Sequence, residues 1–98
     1  MQYKYFVCQS IKGKTLDEIK KEREVVIKSI KESGDIYLHS IFDYEYENEK
    51  EAAKMIGKCI EILADADIVI FMRNWERSRV CKIEHLVAVE YNKNIVYL

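Results

Sequence analysis

Proline is absent from this chain and glycine occurs only three times, so its turns fall to those glycines and to asparagine. No apolar run approaches the ~20 residues that a membrane-spanning helix needs. The opening MQYKYFVCQS lacks the basic-then-apolar order of a secretory signal. An excess of one charge is missing too, because 16 basic residues face 17 acidic ones for a net charge of −1. Tracking a nucleic-acid backbone normally takes a basic excess, so extended nucleic acid is not expected as a partner. The cysteines Cys8, Cys59 and Cys81 are odd in number, far apart and form no CxxC. His39 and His85 complete no four-ligand zinc pattern with them. Three reduced, mostly buried thiols are expected, with no metal and no cofactor. These absences describe a cytoplasmic protein that keeps away from membranes.

What is present fits a single small domain over residues 1–98. Apolar residues make up 49% and charged ones 34%, the balance of a folded chain with one modest core. Tyr3 to Cys8 reads as a buried strand. Thr15 and Glu18 form a capping box, after which Leu16, Ile19, Val26, Ile27 and Ile30 mark a helix face. Gly34 ends that helix. Asp35 to Ser40 reads as a second strand, and Asp43 to Lys50 as an acidic loop with Phe42, Tyr44 and Tyr46 near its start. Asn48 and Glu51 begin a helix whose apolar positions run from Ala52 to Leu63. Asp67 to Met72 (DIVIFM) is apolar on both faces, as a central parallel strand must be. Ser78 caps a last helix with Ile83, Leu86, Val87 and Tyr91 turned inward, Asn92 or Asn94 takes the turn, and Ile95 to Leu98 closes the sheet. Strands alternating with helices at this spacing predict parallel pairing.

Glu84 is the leading candidate for chemistry. It lies early on the last helix with Val80, Val87 and Ala88 one turn away, and helical side chains lean toward the N-terminus. Its carboxylate is thereby aimed at the carboxyl-end crevice of the sheet, where α/β folds take ligands. A carboxylate there can attack an electron-poor carbon such as the anomeric carbon of a sugar. The competing reading is a surface glutamate paired with Lys82 or His85. The loop Arg73 to Arg79 combines Trp75 with three arginines, a set suited to a ligand having a π-face and an anion. Its competing reading is a solvated loop whose arginines pair with the acidic segment from Glu45 to Glu51. Gly13-Lys14-Thr15 invites a P-loop reading, but Cys8 stands where that motif needs glycine and no Walker B aspartate follows Phe71.

Three segments carry a family likeness. Tyr5 to Gly13 resembles the opening strand and Ser-Ile-Arg-Gly phosphate loop of the 2'-deoxynucleoside 5'-phosphate N-hydrolases. Ala66 to Phe71 resembles the strand before their active-site loop. Ser78 to Lys93, with Glu84 followed by Ala88, resembles the helix of their nucleophilic glutamate. The chain thus resembles the nucleoside 2-deoxyribosyltransferase-like superfamily along nearly its whole length. The likeness implies a small three-layer flavodoxin-like or Rossmann-like α/β domain, a four-stranded parallel sheet in the order 2-1-3-4, and a homodimer. It implies Glu84 as nucleophile toward a nucleoside or nucleotide. Ser10, Lys12, Gly13 and Ser78 would then contact a 5'-phosphate, and Trp75 the base or sugar. The chain departs from the family at Cys59, where an aspartate is usual, at Val80 for glycine, at Gln9 for a small residue, and at Lys12 for arginine.

Three functions follow as expectations. The first is an N-glycosidic bond hydrolase or deoxyribosyltransferase. The second is a non-catalytic nucleotide-binding module that senses or sequesters its ligand. The third is an interaction domain that has kept the scaffold and lost the site.

Overall fold

A computed structural model of the protein describes residues 1–40 and 48–98. Phe42, Tyr44, Tyr46 and most of the acidic loop lie outside the described residues. The order of elements is β1 (Lys4–Cys8), α1 (Leu16–Glu32), β2 (Ile36–Tyr37), α2 (Glu49–Ala64), β3 (Ile68–Phe71), α3 (Arg79–Glu90) and β4 (Asn94–Tyr97), with a 3-10 turn over Trp75–Arg77. The four strands form one sheet in the order β2-β1-β3-β4, and every pair is parallel. The expected α/β architecture and strand order are those observed.

Side chains alternate across the sheet with the period of a pleated strand. Phe6, Cys8, Val69 and Phe71 join Cys59 and Leu63 of α2 and Cys81 and Ala88 of α3 in the larger core cluster. Tyr5, Val7, Ile68 and Ile70 face the other way, onto Val26 and Ile30 of α1. One helix thus covers one face and two cover the other. Reversal of winding between β1 and β3 places a crevice at their carboxyl ends.

The helix starts follow local chemistry. Thr15 caps α1 in a complete capping box with Glu18, Asn48 accepts from the Glu51 N–H, and Ser78 accepts from the Cys81 N–H. Gly13, Gly34, Asn74 and Asn92 take the left-handed backbone, so the turn after α3 is made by Asn92.

Two expectations need correction. The second strand is short: only Ile36 and Tyr37 pair with β1, and Leu38 adds one backbone bond to Tyr5. Beyond it the chain leaves the sheet edge, and Ser40 turns inward to Arg23. The fully buried residues of α3 are Cys81, Glu84 and Ala88; of the expected apolar set Val87 packs against the core and Ile83 is half-buried, while Leu86 and Tyr91 face outward. Leu86 is 60% exposed and Tyr91 74%.

Candidate active site

The cavity of interest lies at the carboxyl end of β1. Gln9 and Ile11 reach it from the loop after β1, Arg23 from α1, Met55, Ile56 and Cys59 from α2, and Val80 and Glu84 from α3. Ser40 completes the polar side. Its volume is about 20 Å³, room for roughly one water molecule.

Glu84 is 4% exposed, so the surface-glutamate reading is corrected. Burial pushes its carboxyl up to about 7, against a hydrogen bond from the Cys8 thiol and the attraction of Arg23, which both favour the ionised form. The three cysteines are free and buried, as expected. Burial raises Cys8 well above the usual thiol range, and raises Cys59 and Cys81 to about 11. They surround the carboxylate as neutral thiols. Among the described residues, no cluster of histidine, cysteine and carboxylate side chains is arranged to hold a metal.

Opposite Glu84 sits a group that sequence reasoning missed. Arg23 is 2% exposed. Its Nε donates to Gln9 Oε1 at 2.9 Å, and its Nη1 donates to Ser40 Oγ at 2.9 Å and to Tyr37 Oη at 3.3 Å. The signal was available, because Arg23 stands four residues after Ile19 and three before Val26, on the buried stripe of α1.

The other expected site residues are spread around this centre. Ser10 is buried just beyond β1, while Lys12 and Gly13 are exposed on the loop that follows and do not line the cavity. Ser78 is buried and its hydroxyl caps α3. Trp75 is not on the cavity: its ring lies 5.1 Å from Phe71 and stacks at 4.2 Å on His85. His85 in turn shares a 2.6 Å hydrogen bond with Tyr97. Arg79 pairs with Glu49 at 2.9 Å, so one arginine of this region does bind the acidic segment. Lys14 pairs with Glu22 at 2.9 Å and Thr15 caps α1, which occupies the residues that mimic a P-loop.

Three of the four positions that depart from the deoxyribosyltransferase-like pattern, Gln9, Cys59 and Val80, line the Glu84 cavity. No helix among the described residues is long and apolar enough to cross a membrane. Comparison with curated proteins and with solved structures gives no match. The model of a domain of unknown function, DUF4406, matches residues 4–97, and the chain belongs to that family.

Proposed function

We propose that this protein breaks the N-glycosidic bond of a nucleoside or deoxynucleotide, with the Glu84 carboxylate as nucleophile. The observation that carries the reading is a buried carboxyl on a cavity at the carboxyl end of β1, the end of the sheet at which doubly wound folds accept ligands. The resemblance to deoxyribosyltransferase-like proteins supports it, since its three segments are β1 with its loop, β3, and α3. An oxygen of Glu84 bonds to the anomeric carbon while the bond from that carbon to the base nitrogen breaks. The base departs with the electron pair and takes up a proton. Water, or a second base in a transferase, then displaces the sugar from Glu84. Ser10 and the loop bearing Lys12 and Gly13 would meet a 5'-phosphate, with Ser78 at the first turn of α3. A nucleoside exceeds the volume of the closed cavity, so its entry requires the apolar wall of Ile11, Met55, Ile56 and Val80 to part.

A second reading, a nucleotide-binding module without turnover, is favoured by one observation. The family-divergent Gln9, Cys59 and Val80 all border Glu84, and a thiol does not hold a sugar hydroxyl as a carboxylate does.

Incubation with deoxynucleosides and their monophosphates, followed by chromatography for free base, separates the two. Release by the wild type that disappears in Glu84→Gln supports the enzyme. Ligand-dependent thermal stabilisation that survives Glu84→Gln, with no base released at high enzyme loading, supports the binding module and rejects the enzyme.

A further inference from the structure

Arg23 occupies a place where the face of α1 is otherwise apolar. Ile19 and Ile30 are buried on the same stripe, and Val26 packs on the sheet beside it. A guanidinium stays charged wherever it is put, and withdrawing it from water is costly unless its donors are met. Here the bonds from Nε and Nη1 go to an amide, a phenol and a hydroxyl, all neutral. These bonds fix the group without cancelling its charge. Gln9 is itself anchored, by a 3.1 Å bond from its Nε2 to the Ile19 carbonyl. The clamp therefore ties the end of β1, helix α1, strand β2 and Ser40 to one cation. A small residue at position 9, as in the deoxyribosyltransferase-like pattern, has no side chain to hold it.

Glu84 borders the same cavity. The ionisable groups acting on it from the packed elements are Cys8 of β1, Cys59 of α2, Cys81 of α3 and Arg23 of α1. The three thiols are neutral at physiological pH, which leaves Arg23 as the charge in this set.

We propose that Arg23 is the positioning residue of the site, a fixed counter-charge clamped by Gln9, Tyr37 and Ser40 that favours the ionised form of Glu84 on the cavity they share. Its consequence for catalysis rests on the reading of Glu84 as nucleophile, because a protonated carboxyl does not attack. Its electrostatic content stands apart from that reading, and so does its test.

The carboxyl carbon of Glu84, identified by its loss in Glu84→Gln, is followed by NMR through a pH titration of the whole chain. In Arg23→Gln the midpoint is expected to rise by about one pH unit, and in Arg23→Lys to return toward the wild type. An unchanged midpoint in folded Arg23→Gln overturns the proposal. Should Arg23→Gln fail to fold, the wild type decides alone. The side-chain nitrogens of Arg23 must then shift with the midpoint of Glu84, and indifference to that titration overturns the proposal equally. In the base-release assay, Arg23→Gln should be impaired at neutral pH and recover at higher pH. A wild type that releases no base rejects the nucleophile and leaves the titration to judge Arg23.

Discussion

Glu84 and His85 are consecutive on α3, yet they belong to two regions built on different physics. Glu84 lies among buried polar groups, with the Cys8 thiol on its carboxylate and the clamped Arg23 across a water-sized cavity. His85 lies in a cluster of rings, stacked on Trp75 with Phe71 and Tyr97 alongside. The first region is held by directional bonds, and among the described residues no buried side-chain nitrogen or oxygen lacks a partner. The second is held by ring packing and stands partly open, with Tyr97 55% exposed. Successive residues on a helix are about 100° apart, enough to send neighbours to separate environments. The contrast teaches that Trp75 and Glu84, nine positions apart in one motif-like stretch, serve different purposes.

Substitutions can break the contrast, beginning with the largest effect. Arg23→Ala strands the acceptors on Gln9, Tyr37 and Ser40 and is expected to cost roughly 3–5 kcal/mol in urea unfolding. A loss under 1 kcal/mol would deny that the polar region depends on directional bonds.

Glu84→Gln comes next, and its effect depends on pH. The folded carboxyl binds its proton up to about pH 7, whereas the unfolded one releases it near the ordinary 4.5. Between those values the native state holds more protons, so this group's contribution to stability falls as pH rises, then levels off above about 7. Relative to the wild type, Glu84→Gln should therefore gain about 3 kcal/mol between pH 4.5 and 7. Thermal melts of both proteins across that range check it, and a constant difference would place the carboxyl in a watery setting.

Trp75→Ala removes ring packing from a half-open cluster and should cost about 2 kcal/mol with little dependence on pH. If it also raised the midpoint of Glu84, the two regions would be one. The smallest effect expected is that of Ser78→Ala, about 1 kcal/mol from the lost cap of α3. An accompanying loss of affinity for nucleoside monophosphates, absent for the nucleosides, would give its hydroxyl the phosphate contact as well.

Features that depend on near neighbours in the chain were legible before any coordinates. The capping box of Thr15 and Glu18, the caps at Asn48 and Ser78, a turn at Asn92 or Asn94 and the doubly apolar strand β3 follow from a few adjacent residues each. The buried side of α3 was not legible by the same means. Ile83, Leu86, Val87 and Val89 share an arc of about 160° at 100° per residue, and hydrophobicity alone takes that arc for the buried face. The fold fully buries Cys81, Glu84 and Ala88 instead. Arg23 was not legible in the same way, because an arginine on an apolar stripe is rarely fully buried unless it is paired. A buried arginine becomes plausible only once its distant acceptors Gln9, Tyr37 and Ser40 are known, and the fold alone assembles them. Glu84 was found because helical spacing set it among apolar neighbours, whereas the separation of Trp75 from it needed the direction of both side chains.

The central claim is that Glu84 attacks a sugar carbon from a buried cleft. Reaction with 2'-deoxynucleoside 5'-monophosphates, quenching in acid and peptide mass spectrometry tests it most directly. A deoxyribose phosphate ester on the peptide containing Glu84, missing from Glu84→Gln, is the result the account predicts. Base release that persists undiminished in Glu84→Gln would contradict it.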